Sequence, residues 1–238
     1  MARRRFFVDS IHNGAAELYG EEARHLTRVL RVEPGQRFEI SDNAAAYVAE
    51  IAEARGEHVV FRILQPVATV EMPVRITLLA SLFKFDRFEW MVEKTTELGV
   101  ERIVPVETAR TENGLFEASR KRVERWRRIA REASQQSRRT RMPEIAMTGK
   151  LDGALRERAD YRLFLDECEA PPLLGALKPR AAKESAAFLL GPEGGWTEAE
   201  REGARNAGWS PVSLGPQILR AETAAAAAVA IIMNAWML

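Results

Sequence analysis

The pattern of apolar and polar positions changes at about residue 70. Before that point, short segments rich in β-branched and aromatic residues alternate with turn signals such as Pro34-Gly35 and Gly56. This pattern predicts strands at 6–8, 37–40, 46–51 and 59–64, which is typical of a small β-barrel. One helix is predicted at 21–30, with Leu26, Val29 and Leu30 on a single apolar face. Residues 1–70 are therefore predicted to form a β-barrel domain.

After a linker at 65–73, the pattern alternates between continuous apolar strands and helices. Strands are predicted at 76–82, 103–106, 161–166, 187–190 and 212–214, and helices at 87–98, 119–138 and 223–238. Buried strands that alternate with helices indicate a parallel sheet covered on both faces. Residues 74–238 are therefore predicted to form an α/β domain. Ligands of such sheets bind beyond the carboxyl ends of the strands.

Two segments follow predicted strands at that position. Gly191-Pro192-Glu193-Gly194-Gly195-Trp196 leads into Thr197-Glu198-Ala199-Glu200, a capping box that predicts a helix start. Leu214-Gly215-Pro216 leads through Ile218-Leu219 into the alanine-rich final helix. Neither loop has the spacing of a dinucleotide fingerprint or of a phosphate-binding loop. An isolated glycine loop is often only a tight turn, but two such loops favour one pocket built from main-chain groups.

Composition limits the remaining possibilities. The net charge is +1, so nucleic-acid binding has to be argued locally; residues 110–141 contain eleven basic and four acidic side chains. The single cysteine excludes an internal disulfide framework, and the scattered histidines form no metal-ligand pattern. The final apolar segment is too short for a membrane span. We expect a cytosolic protein without a metal.

The order and joint spacing of several motifs resemble the SPOUT class of RNA methyltransferases. Within that class, the chain is similar to the family that methylates uracil N3 of small-subunit (16S) ribosomal RNA. The similarity covers nearly the whole chain. It is carried by the two loops and by Arg24-His25-Leu26, Val29-Leu30-Arg31, Lys84 with Arg87, Glu93 to Val100, Gln135-Gln136-Ser137, and the Leu219-Arg220-Ala221-Glu222-Thr223-Ala224 run.

The resemblance implies an N-terminal PUA-like barrel and a C-terminal SPOUT domain whose last helix is threaded into a trefoil knot. It also implies S-adenosylmethionine as the cofactor, bent around backbone groups of the two loops. The residues expected to bind the cofactor are Leu190, Gly191, Pro192, Glu193, Gly194, Gly195, Leu214, Gly215, Pro216, Ile218, Leu219 and Thr223.

Arg220, Glu222 and Glu193 are the candidate catalytic residues. Methylation of N3 requires removal of a weakly acidic proton, which a carboxylate can accept, while a guanidinium stabilises charge on the uracil oxygens. The alternative is that Arg220, Glu222 and Thr223 only cap the final helix and interact with its dipole. Ala221 stands where the family pattern usually has threonine.

Basic and amide side chains are the candidate RNA contacts. Helical spacing also allows Glu93, Lys94 and Glu97 to form an exposed salt-bridged face instead. Likewise, charge runs on helices are often only solvated surface. The expected RNA-binding residues are Arg3, Arg4, Arg5, Arg24, Arg28, Arg31, Lys84, Arg87, Lys94, Gln136, Arg138 and Arg139.

We expect the substrate to be ribosomal RNA in the assembled small subunit. A homodimer is expected because the alanine-rich helix buries little area alone, and the resemblance implies the same. The rival hypotheses are a related SPOUT enzyme that methylates a ribose or another base in ribosomal or transfer RNA, and a non-catalytic RNA-binding assembly factor.

Overall fold

The structure is a computed structural model that describes residues 4–69, 72–168, 170–177 and 184–237. The chain divides into two compact units. Unit 1 comprises Met1–Glu71 together with Arg131–Met142, and unit 2 comprises Met72–Ala130 with Pro143–Leu238. The predicted domain bounds assign residues 131–142 to the second domain, whereas their contacts place them in unit 1.

Unit 1 contains a six-stranded, mainly antiparallel sheet in the order β1-β4-β5-β6-β3-β2. Its apolar side chains form one buried cluster that includes Phe6, Ile40, Ile51 and Phe61. The four strands predicted for this region are present, and the hairpin formed by β2 and β3 was not predicted. The strands are β1 (Arg5–Phe7), β2 (Ile11–His12), β3 (Ala15–Tyr19), β4 (Arg37–Ser41), β5 (Ala46–Arg55) and β6 (His58–Val67).

The helix predicted at 21–30 differs from the structure in its second half. It begins as α1 (Gly20–Arg24) and continues as a π-helical turn over His25–Val29, in which the Leu30 amide donates to the His25 carbonyl at 3.1 Å. The wider turn rotates the side chains that follow. Leu26 is buried, but Val29 is 65% exposed and Leu30 is 44% exposed, so the predicted three-residue apolar face is wrong.

Unit 2 contains a parallel sheet in the order β10-β8-β7-β12-β11-β13, with β9 paired to β8. The predicted strands are present, and the short β9 and β10 were not predicted. The strands are β7 (Arg75–Ser81), β8 (Arg102–Glu107), β9 (Glu144–Ile145), β10 (Gly149–Lys150), β11 (Tyr161–Leu165), β12 (Ser185–Leu190) and β13 (Ser210–Val212).

Helices pack against this sheet. The predicted helix at 119–138 is two helices, α3 (Leu115–Arg120) and α4 (Val123–Gln136), separated by a turn at Lys121 and Arg122. The remaining helices are α2 (Phe85–Glu97), α5 (Leu151–Ala154), α6 (Leu173–Ala176), α7 (Glu198–Asn206) and α8 (Ala221–Ala235). The apolar cluster beneath them includes Phe88, Trp126 and Ile232. Among the helices described, none is long and apolar enough to cross a membrane.

Candidate active site

A cavity of about 330 Å³ opens where three neighbouring strands of unit 2 end. The loops after β11, β12 and β13 form its walls, together with the first turn of α8. This is the edge at which parallel sheets bind ligands. The lining residues are Leu165, Asp166, Glu167, Leu190, Gly191, Pro192, Glu193, Gly195, Trp196, Val212, Ser213, Leu214, Gly215, Pro216, Gln217, Ile218, Leu219, Arg220, Ala221 and Ala224.

The loop after β12 is a tight turn packed on a tryptophan. The Gly195 amide donates to the Pro192 carbonyl at 2.8 Å, and Gly195 has a φ of +72°, which favours glycine. Trp196 Nε1 donates to the Leu165 carbonyl at 2.8 Å and so links this loop to the end of β11. A Cβ atom on Gly191 would lie 3.0 Å from the Trp196 ring. The glycines therefore let the loop fold closely over Trp196.

Residues outside the loop after β12 also form hydrogen bonds that fix its position. Arg110, which follows β8, donates from Nη1 to the Gly194 carbonyl and lies 3.5 Å from the Gly195 carbonyl. The predicted capping box is confirmed: Thr197 Oγ1 accepts from the Glu200 amide, and Glu200 Oε2 accepts from the Thr197 amide. Glu200 Oε1 accepts in addition from the Ala109 amide at 2.7 Å. Arg110 was not predicted as a site residue, because no local motif indicates its contact with residues 84 positions away.

The third wall of the cavity was also not predicted. Asp166 directly follows β11 and forms a nearly buried ion pair with Arg201 of α7, whose Nε lies 3.0 Å from Asp166 Oδ2. This hydrogen bond raises the pKa of the Arg201 guanidinium above its ordinary value, although burial acts in the opposite direction. Arg201 Nη1 also donates to the Trp196 carbonyl at 2.9 Å. The ion pair thus fixes the loops after β11 and β12 together.

One guanidinium connects the two candidate catalytic carboxylates. Arg87 of α2 donates from Nη1 to Glu193 Oε1, and its Nε lies 3.9 Å from Glu222 Oε1. Glu222 is buried in the first turn of α8, and within the described residues its Oε2 has no hydrogen-bond partner. Arg87 was predicted to bind RNA. In the structure, its side chain forms an ion pair with Glu193, a cavity residue.

Most residues predicted to bind the cofactor lie in the cavity wall. Of these residues, Gly194 and Thr223 do not line it, and of the three predicted catalytic residues, Glu222 does not. Thr223 is exposed on α8, whereas the preceding Glu222 is buried. Arg220 lines the cavity and is exposed. It occupies the N-cap position of α8 without a side-chain cap, so the side-chain capping alternative does not describe it.

Two of the predicted RNA contacts are engaged in ion pairs within the protein. Arg5 is 6% exposed, and its guanidinium is engaged by Glu39, the Arg138 carbonyl and Thr140, so it is a structural residue of unit 1. Lys94 pairs with Glu93 and Glu97, as helical spacing alone predicts, and hydrogen bonds to both raise the pKa of its ammonium group. Arg3 lies outside the described residues.

The other predicted RNA contacts lie mainly at the surface. In unit 1, Arg139 is half-buried, whereas the exposed side chains are those of Arg4, Arg24, Arg28, Arg31, Gln136 and Arg138. Arg24 pairs with Glu57. In unit 2, Lys84 is exposed just before α2. Part of the basic run is paired, since Arg125 binds Glu89 and Arg127 binds Glu124. Within the described residues, no group of three or more His, Cys, Asp or Glu side chains is arranged to hold a metal ion.

Comparison with protein families gives two matches. Residues 70–233 match the RNA methyltransferase domain, and residues 18–64 match the RNA methyltransferase PUA domain. Together these two matches span both units. The first covers more than half of the chain.

Individual relatives agree with these matches. Ribosomal RNA small subunit methyltransferase E of Synechocystis is 33% identical over 93% of this chain and 74% of its own length. The protein of that name from Aquifex aeolicus is 31% identical over 90% and 91%. The crystal structure of this methyltransferase from Neisseria gonorrhoeae bound to S-adenosylmethionine has a TM-score of 0.89, 32% identity and 98% coverage of both chains. A Legionella pneumophila methyltransferase with bound S-adenosylmethionine also has a TM-score of 0.89, at 27% identity and 99% and 98% coverage.

Proposed function

Because this chain belongs to the RNA methyltransferase family, as a member of its ribosomal RNA small subunit methyltransferase E group, we propose that it methylates uracil N3 in small-subunit ribosomal RNA. S-adenosylmethionine is the proposed methyl donor. The observation that carries the proposal is the cavity at the ends of β11, β12 and β13, which Glu193 and Arg220 line and beside which Arg87 pairs with Glu193.

The cavity has the properties that this cofactor requires. Leu190, Leu214 and Leu219 provide apolar walls for an adenine ring, and the glycine loops expose main-chain donors and acceptors to its edge. Acidic residues in the wall suit a ligand that carries positive charges. When bound, S-adenosylmethionine supplies a methyl group on a positively charged sulfur atom.

The charged residues account for the removal of the N3 proton and for the negative charge that develops on the uracil. The N3 proton has to leave before or while the nitrogen takes up the methyl group, and the negative charge then spreads over the uracil oxygens. We assign Glu193 as the proton acceptor because it is a cavity residue, and Arg220 as the group that stabilises the oxygens. Glu222 is buried in the first turn of α8, and its Oε1 lies 3.9 Å from Arg87 Nε. The methyl group replaces the proton on N3, and the sulfur becomes neutral.

These roles can be separated with purified protein. Glu193→Gln is expected to lower the rate of methyl transfer to small subunits on the order of a hundredfold while S-adenosylmethionine still binds. Arg220→Ala is expected to lower the rate at saturating RNA. Wild-type turnover by either variant would contradict the role assigned to that residue.

The identity of the methylated base and its position in the RNA have to be determined by an experiment on RNA. We infer an assembled small subunit as substrate and hence a cytosolic location. Ribosomal RNA from cells with and without the gene would be digested and mapped by mass spectrometry. An N3-methyluridine that disappears without the gene and returns with the wild-type gene, but not with Glu193→Gln, is the expected result. An unchanged N3-methyluridine signal would overturn the proposal.

We also propose a homodimer. The face of α8 opposite its buried side carries Thr223, Ala227, Ala230 and Asn234, which are exposed or half-buried, and such small side chains let another helix approach closely. Sedimentation at low micromolar concentration is expected to give twice the chain mass of 26.7 kDa. A monomer under these conditions would contradict the dimer.

A further inference from the structure

Four ionisable residues line the cavity: Asp166, Glu167, Glu193 and Arg220. The two carboxylates of Asp166 and Glu193 are already paired, with Arg201 and Arg87 respectively. Glu167 differs from them, since no ion pair involves it in the part of the chain that the structure describes. Its carboxylate is therefore available to a ligand.

The position of Glu167 is well defined by its neighbours. The Asp166 amide donates to the Val212 carbonyl at 3.0 Å, and the Asp166 side chain is fixed by Arg201. The Glu167 side chain lies against the glycine loop, because a Cβ atom on Gly195 would be 2.3 Å from Glu167 Oε1. Gly195, whose φ is +72°, leaves room for the carboxylate in this position. Glu167 thus contributes two acceptor oxygens to the cavity wall.

The glycine loop after β12 is contacted by different residues on its two sides. Strand β12 lies between β7 and β11. From the β7 side, Arg87 contacts Glu193, which we assign to the reacting base; from the β11 side, Glu167 contacts Gly195. The methyl group has to face the reacting base. The side on which Glu167 lies is therefore left for a part of the cofactor away from the sulfur.

We propose that Glu167 binds the ribose hydroxyls of S-adenosylmethionine. This inference rests on the proposed function, because it assumes that the cavity is the cofactor site. The two oxygens of a carboxylate match two adjacent hydroxyl donors, and an acidic residue holds the ribose in the same way in dinucleotide-binding folds. Glu167 is then a binding residue that fixes the nucleoside end of the cofactor.

Titration calorimetry with three ligands tests which group Glu167 recognises. S-adenosylmethionine, S-adenosylhomocysteine and 5′-methylthioadenosine share the ribose, but the second lacks the positive sulfur and the third also lacks the amino-acid group. Glu167→Gln is expected to weaken all three on the order of tenfold, because charge-assisted hydrogen bonds are lost. Glu112→Gln removes one exposed charge of unit 2 outside the cavity and is the matched control.

Other outcomes would overturn the proposal. A loss of affinity for S-adenosylmethionine alone would assign Glu167 to the sulfur, and a loss of affinity for the first two ligands alone would assign it to the ammonium group.

General damage to the cavity is tested with the 2′-deoxy form of 5′-methylthioadenosine. The wild type is expected to bind this form more weakly than its parent, and the difference should be smaller in Glu167→Gln, whose amide keeps a neutral acceptor but not the charged one. A variant that keeps wild-type affinities overturns this inference alone; a wild type that binds no cofactor overturns the proposed function as well.

Discussion

Arg87 Nε lies 3.9 Å from Glu222 Oε1 while Arg87 Nη1 is bound to Glu193, so one guanidinium connects the first turn of α8 to the glycine loop. We predict that this contact supports catalysis and not RNA affinity. Arg87→Ala is expected to lower kcat on the order of tenfold or more, because Glu193 and Glu222 then lose the charge that orients them. The KM for the small subunit should change little. Steady-state kinetics with labelled cofactor measures both quantities.

The conservative variant separates this role from a structural one. Arg87→Lys keeps the positive charge but lacks the planar group that reaches both carboxylates, so it should recover only part of kcat. Lys84→Ala, which removes an exposed cation just before the same helix, is the control and is expected to affect KM instead. An Arg87→Ala variant with normal kcat and a raised KM would support the interpretation of Arg87 as an RNA contact.

The sequence predicts the glycine loops as parts of the site, but it does not predict the ion pair of Arg87. The loops could be predicted because each directly follows an apolar strand, and ligands bind at the carboxyl ends of parallel strands. The same rule applied to the strand at 161–166 would have identified Glu167. Arg87 could not be assigned in this way, because its partner Glu193 lies 106 positions further along the chain.

Unit 1 also contains one feature that could be predicted from the sequence and one that could not. Asn13-Gly14 between β2 and β3 has φ values of +50° and +76°, as a two-residue hairpin turn requires, and this dipeptide is a strong hairpin signal that the strand prediction did not use. The π-helical turn after Arg24 is different. Residues 21–30 have an ordinary helical pattern, whereas the wider turn is accompanied by contacts outside that pattern: the Val32 amide donates to the Leu26 carbonyl, and both side chains lie in the buried cluster. The exposure of Val29 and Leu30 therefore could not be predicted.

Gly191 is predicted to be intolerant of a methyl group. In Gly191→Ala, the new Cβ would lie 3.0 Å from Trp196, whose ring is fixed by its hydrogen bond to Leu165. Moving the ring would cost about 1–3 kcal/mol of stability. It should also weaken S-adenosylmethionine binding, because Leu165 and Trp196 both line the cavity. Calorimetry and urea unfolding measure the two effects.

The matched control for Gly191→Ala lies in α5 of the same unit. A Cβ atom added to Gly153 would meet no neighbouring group within 4 Å, so Gly153→Ala should preserve cofactor binding and leave stability equal or slightly higher. If Gly191→Ala bound the cofactor as well as Gly153→Ala does, close packing on Trp196 would not be a requirement of the site.

We predict that the backbone conformation of Arg31 lowers the stability of unit 1 and that its side-chain charge increases RNA affinity. Its φ is +48°, in the left-handed region that favours glycine, and its side chain is exposed. Arg31→Gly should therefore be about 1 kcal/mol more stable than Arg31→Ala. Both variants remove the same charge and should weaken binding to small-subunit RNA equally at fixed salt.

Urea unfolding and filter binding give these two quantities independently. Asn13→Gly relieves a φ of +50° in the same unit without removing a charge, so it should leave RNA affinity unchanged. Two observations would contradict the prediction: equal stability of Arg31→Gly and Arg31→Ala, or wild-type RNA affinity of both.

Glu22 is predicted to make unit 1 less stable as the pH rises. Burial raises the pKa of its carboxyl above the ordinary value and outweighs the ion pair with Arg131, while Asp9 and Glu132 act in the same direction as burial. The folded state therefore holds the Glu22 proton more tightly than the unfolded state, whose glutamates titrate near about 4.3. Stability from this group is present at low pH and is lost as the pH rises through the raised folded pKa.

Glu22→Gln tests the sign of this effect. The amide keeps an acceptor for the Arg131 Nη2 donor, which lies 2.8 Å from Glu22 Oε2, but it cannot ionise. From acid to neutral pH, the wild type should therefore lose stability relative to Glu22→Gln, and the difference should become constant once Glu22 is fully ionised. Urea unfolding followed by a probe in unit 1 measures this, with Glu33→Gln as a reference for the loss of one exposed charge. A wild type that gains stability relative to Glu22→Gln with rising pH would show that the Arg131 ion pair, and not burial, dominates at this site.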